Sequence, residues 1–205
     1  MPKFVHSGNN ISAMNSIMTI EGDSKERGKK TLPVLIAISI MWLPLAIFFL
    51  GNGEPKTTGA ICGMVGIVVI LGAIIQAAVF KDGFTAGLLF VHGLLYCITS
   101  YALVNGVEDL RTVGNVGLTV AIVSFIYMIL FFTGGPVLEG GKQLVARSNY
   151  FGFACLGYGI LTLEVWGVGY GKNMGKLLAW SLIVWVALGL YIPAFWLLVS
   201  GTLPF

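Results

Sequence analysis

One carboxylate, Glu164 in "ILTLEVWGVG", falls well inside an apolar stretch of the chain. A group of this kind can hold a proton, accept hydrogen bonds from a passing solute, or bond to a neighbouring helix. Placing it in hydrocarbon costs at least about 2.5–3.5 kcal/mol, so it is expected to face a cavity or a partner. His92 in "LFVHGLLY" and Gln76 in "GAIIQAAV" are embedded in the same way. No second His, Cys or carboxylate stands at metal-ligand spacing from His92, which therefore reads as a hydrogen-bonded packing residue. Gln76 reads as an interhelical hydrogen-bonding group, worth about 0.6–2 kcal/mol. Cys62, Cys97 and Cys155 are isolated in apolar runs and read as small packing residues. "GVGYGK" at Gly167–Lys172 lacks the spacing of a phosphate-binding loop, and no nucleophile can be paired with a base. Enzymatic chemistry, a metal and a cofactor are not expected.

The elements that hold these groups follow from composition. The 205 residues are 57% hydrophobic and only 10% charged, with a mean hydropathy of +0.89. A soluble domain carries about 25% charged residues, so the apolar surplus here must face lipid. Apolar runs near 32–50, 58–80, 83–104, 115–133, 150–170 and 177–200 each suit a bilayer core of about 30 Å. Only helices and closed barrels satisfy their backbone there, and runs of this length read as helices. The expected fold is all-α: a polytopic, multi-pass membrane protein with a six-transmembrane-helix bundle over residues 32–200, placed in the cell membrane. Residues 1–31 form a polar, flexible tail, and 201–205 a short end. The run after "KERGKK" is longer than a signal-peptide core and reads as a retained helix. A net charge of +3, thinly spread, excludes nucleic acid as a partner.

The connections are short and polar. In "GNGEPKTTG", Pro55 pushes Glu54 to an extended backbone, and Thr57 or Thr58 is expected to cap the second helix. The side bearing the tail carries Lys25, Arg27, Lys29, Lys30, Lys81, Lys142 and Arg147; the other carries Lys56, Arg111, Lys172 and Lys176. That imbalance favours a cytoplasmic N-terminus. Phe90, Tyr96, Tyr158, Trp166, Trp180 and Trp185 crowd the third, fifth and sixth runs. Near helix ends, Tyr170 and Trp196 suit the aromatic belt, whereas mid-helix rings serve either packing or the wall of a narrow pore.

"EPKTTGA" resembles the turn after the first helix of the AmiS/UreI family of urea and amide channels. "TAGLLFVHGLLYCI", followed by "LRTVGNVGLTVAI", is similar to that family's third helix, loop and fourth helix. "GKLLAWSLIVWVALGLYIPAFWLLV" is similar to its last helix. The resemblance covers roughly residues 33–200. It implies a six-helix protomer with its own pore, assembled as a homo-oligomer (a hexamer in this family), with both termini outside. Carried over by position, Phe90 takes the place of a pore Phe, and Leu94 that of a pore Tyr. Tyr158 and Thr162 replace two pore-facing Trp residues, Trp185 stands where urea channels have a carboxylate, and Leu45 stands where they have Asn. Glu164 is the carboxylate that could replace the missing one. Acid-activated members carry a long, His-bearing loop between the second and third helices; here it is "KDG", and the chain's histidines are His6 and His92. Acid gating of that kind is not expected.

Two functions from different classes follow. One is a passive channel for a small neutral solute, such as urea, a short-chain amide or ammonia, lined by Phe90, Leu94, Tyr158, Thr162, Glu164 and Trp185. The other is a structural or accessory subunit of a larger membrane complex, motivated by the lost pore groups and the tail. A channel for small acids fits less well, because basic groups are sparse in the helices.

Overall fold

The computed structural model describes residues 35–139, 141 and 143–200, so the tail, His6 and the short C-terminal end lie outside the described residues. The helices are α1 (Leu35–Phe49), α2 (Pro55–Ala78), α3 (Gly83–Asn105), α4 (Arg111–Thr133), α5 (Asn149–Gly169) and α6 (Gly175–Ser200). Five of them, α2 to α6, are long and apolar enough to cross a membrane, and α1 is a shorter apolar helix. Among the described residues there is no strand beyond an isolated bridge between Val137 and Gln143. The chain is an all-helical, multi-pass membrane bundle.

Local chemistry sets the helix boundaries. Glu54 is extended (φ −96°, ψ 128°), as its place before Pro55 requires. The cap of α2 is this Glu54, not the threonines expected from sequence. Its carboxylate accepts from the backbone N–H of Lys56 (2.8 Å) and Thr57 (2.6 Å), and from the Thr57 hydroxyl. Pro55 then occupies the first helical turn, where its missing N–H costs nothing. Asp82 caps α3 through Thr85 N–H (3.0 Å) and also accepts from Gln76 Nε2 (2.9 Å), so the polar group near the end of α2 pins the start of α3. α3 and α4 stop at Gly106 (φ 62°) and Gly134 (φ 82°), left-handed positions that Gly occupies without strain. α4 begins one turn earlier than its apolar run, taking in "RTVG".

Small residues bring the helices together. α2 packs on α3, where a Cβ at Gly66 would fall 3.0 Å from the Cys97 backbone nitrogen and 3.1 Å from the Gly93 carbonyl oxygen. α4 packs on α5 in the same fashion, with Gly169 against the Gly114 Cα. The main core joins α1 (Met41, Trp42), α2 (Cys62, Val69), α5 (Leu161) and α6 (Leu178, Leu182). A second cluster sits at the opposite ends of α3, α4 and α5, where Phe84, Tyr127, Phe131 and Phe151 surround Leu88 and Cys155. α6 is not uniform. Over Val186–Tyr191 it widens to a π-helix, with Ile192 N–H bonded to the Ala187 carbonyl five residues back. The Tyr150 hydroxyl of α5 donates to the Gly189 carbonyl (3.1 Å) within that segment.

Candidate functional site

α3 turns one face inward, and along it His92, Tyr96, Thr99 and Leu103 recur at helical spacing. Opposite them, α5 presents Tyr158, Thr162, Val165 and Gly169, and α1 presents Trp42, Leu45 and Phe49. Between these faces lies a cavity of about 360 Å³. It follows α3 for roughly 16 Å, from His92 to Leu103, at 1.5 Å per residue. Its walls come from the C-terminal halves of α1, α3 and α5 and the N-terminal parts of α2, α4 and α6. It therefore occupies one half of the bundle, on the side of the α1–α2, α3–α4 and α5–α6 connections.

The inner end is aromatic. The Tyr158 ring lies 5.3 Å from the His92 ring and 5.5 Å from Trp42, the latter edge-on at 82°. Tyr96 lies 6.3 Å from His92 on the same helix. Polar tips are few, and the two threonine hydroxyls among them have their hydrogens committed. The Thr99 hydroxyl donates to Leu95 O (2.8 Å), and the Thr162 hydroxyl to Tyr158 O (2.8 Å), with Gly159 O at 3.2 Å. Each keeps only its lone pairs to offer, so both act as acceptors. His92 Nδ1 lies 2.9 Å from the Leu88 carbonyl. A carbonyl cannot donate, so Nδ1 carries the proton and Nε2 keeps its lone pair; Nε2 lies 3.5 Å from Ser124 Oγ, whose hydrogen goes to the Val120 carbonyl (2.8 Å). No Asp, Glu, Lys or Arg lines the cavity. Such a compartment suits a small neutral molecule bearing N–H or O–H donors and disfavours ions, whose hydration it cannot replace.

Of the six residues expected from sequence to line a pore, Tyr158 and Thr162 meet at this cavity, beside Leu45. The other four lie elsewhere. Phe90 and Leu94 are 43% and 45% exposed on the outer face of α3, two residues out of step with the lining face. Glu164 is buried (6% exposed) at the seam of α5 and α6, where Ser181 Oγ donates to Oε1 at 2.9 Å. Its Oε2 has no hydrogen-bond partner among the described residues. It stands within about 8 Å of the end of α5, hence off the middle of the span. Trp185 fills the other half of the bundle; a Cβ at Gly157 would fall 2.1 Å from its ring, and one at Gly189 2.5 Å from it. His92, read from sequence as packing alone, both packs and lines the cavity. With Tyr96 and Thr99 it forms an i, i+4, i+7 polar stripe, a periodic signal that was there to be read. Among the described residues, no three His, Cys, Asp or Glu side chains gather to hold a metal.

The cavity has a neighbour at its mouth. A second hollow of about 310 Å³ is bordered by Glu108, Asp109, Arg111, Tyr170 and Gly171. Asp109 accepts from Arg111 Nη2 (2.6 Å) and Nε (2.9 Å), and these bonds hold its carboxyl down to about 2. Tyr170 donates to Asn115 Oδ1 (2.8 Å), and Lys172 lies 4.2 Å above the Trp166 ring, an anchoring pair for a membrane interface.

The chain's overall shape is similar to that of two solved structures. The crystal structure of the urea channel from the human gastric pathogen Helicobacter pylori matches with a TM-score of 0.68 and 21% identity, over 84% of this chain and 99% of that one. The cryo-EM structure of the Helicobacter pylori urea channel in a closed state matches with a TM-score of 0.65 and 24% identity, over 83% and 97%. No protein-family signature and no curated protein matches the chain. At this identity, the likeness establishes a shared fold.

Proposed function

We propose that this chain is a six-helix channel protomer that passes a small neutral solute (urea, a short-chain amide or ammonia) down its gradient across the cell membrane. The observation that carries the reading is the cavity beside His92 and Tyr158: charge-free, aromatic at its inner end, and equipped with the Thr99 and Thr162 oxygens as acceptors. Urea and amides present N–H donors on a small planar body, which is what such walls accommodate. The likeness in fold to urea channels supports the same class. Flux is passive, weakly saturable, and needs no ion coupling.

The chain works as a homo-oligomer, a hexamer on the family resemblance, with one pore in each protomer. Acid does not gate it, because the α2–α3 connection is a few residues long and offers no histidine. One observation favours the accessory-subunit reading: the cavity stops in mid-bundle, where Trp185 packs on Gly157.

The test is a solute panel in proteoliposomes. Urea, acetamide or ammonia flux above that of empty vesicles, with sodium and acetate excluded, is the expected result. Absence of flux for all three, with stable co-purification of other membrane proteins, would move the assignment to an accessory subunit.

A further inference from the structure

The inner cavity and the outer hollow share three bordering residues, Leu110, Val168 and Gly169. The change in chemistry across them is abrupt, from Glu108, Asp109 and Arg111 outside to Phe49, Leu103 and Val113 inside. Of the three, Gly169 has no side chain, and its α-carbon is pressed against Gly114. Val168 is held within a helical turn. Leu110 is differently placed, at the N-cap of α4, where it makes no side-chain capping bond.

Leucine is a poor choice for a cap. Ser, Thr, Asp or Asn would each satisfy a free backbone N–H there, and Leu satisfies none. Asp109, directly before it, accepts from Arg111 N (3.0 Å) and does part of that work from one position upstream. A local rule set aside at the boundary between two compartments marks a residue retained for another reason.

We propose that Leu110 is the hydrophobic neck of the entrance, and that the size of the side chain at position 110 sets which molecules pass from the polar hollow into the inner cavity. The inference deepens the channel reading and rests on it for the solute, but the neck itself can be tested without any solute. Cys62 lines the inner cavity on the far side of Leu110 and serves as the reporter.

In a C97S/C155S background, the full-length protein in liposomes is treated with methyl methanethiosulfonate, a small neutral thiol reagent, and Cys62 modification is timed by mass spectrometry. The rate is expected to rise roughly tenfold in L110A and to fall roughly tenfold in L110W. Equal rates in L110A, L110W and the parent overturn the proposal. So does a Cys62 that stays unmodified in every folded variant yet reacts once unfolded. Urea flux is measured on the same vesicles. Modification that follows residue 110 without any urea flux removes the channel reading and leaves the neck; flux indifferent to residue 110, with equal labelling, does the reverse.

Discussion

Glu164 shows how far a single residue can be read. Its type and depth announce a buried carboxylate, and the structure supplies the partner, Ser181 of α6. With one oxygen satisfied, removing Ser181 leaves the whole carboxyl group without a bond. Ser181→Ala is therefore expected to cost about 1–3 kcal/mol in thermal unfolding in detergent, while the double variant E164L/S181A comes back close to the parent. A double variant as unstable as Ser181→Ala would place the stabilisation elsewhere. Outside the membrane, Glu54 makes a pH-dependent contribution. Its hydrogen bonds, chiefly from the Thr57 side chain and backbone, hold its pKa below the ordinary value of 4.5. A depressed carboxyl stabilises the fold above its unfolded value and loses that effect as pH falls through the folded one. The amides of Lys56 and Thr57 should thus lose hydrogen-exchange protection as pH falls below the ordinary carboxyl value and through the lowered one, and E54Q should remove this dependence. The sequence announced the turn through Pro55 but not its cap. Thr57, Thr58 and Glu54 are all competent there, and only the backbone geometry selects among them.

Helices were the most legible elements, because a hydrocarbon core admits no other form for runs of this length. Their rotation was not. A helix with lipid on one side and neighbours on the other is apolar all round, so periodicity does not say which face is inward. Phe90 and Leu94 came from the family resemblance, position by position, and they lie two residues out of step with the face on which His92 and Thr99 form the wall. Contact between helices is a stronger constraint. Gly66 faces Gly93 and Cys97 with backbone on both sides, so Gly66→Val must force α2 and α3 apart, at about 1–3 kcal/mol. Gly83, the first residue of α3, has nothing within 4 Å of a Cβ position. Gly83→Ala should be neutral or stabilising by up to about 1 kcal/mol. Thermal unfolding of the two variants side by side checks the contrast; similar losses in both would contradict the packing described for α2 and α3. The π-helical widening of α6 had no signal in "VALGLY". It belongs to tertiary packing, where Tyr150 bonds the Gly189 carbonyl and Trp185 lies over Gly157.

At the scale of the whole molecule, the bundle is divided. One half encloses a charge-free cavity that begins at a polar hollow; the other is filled by Trp185 and by the cluster around Phe131. That the chain is a multi-pass membrane protein was legible from composition, and the fold it shares with the two urea-channel structures from short blocks in the right order. Which residues meet was not, since that depends on how six apolar surfaces are rotated against each other. The most direct measurement is urea flux into proteoliposomes of the parent and of Thr162→Trp, both shown to be folded. Flux above empty vesicles is expected for the parent, with a loss of most of it, roughly tenfold, when an indole fills the inner end of the cavity. Parent vesicles no more permeable than empty ones, or flux untouched by Thr162→Trp, would contradict the channel reading.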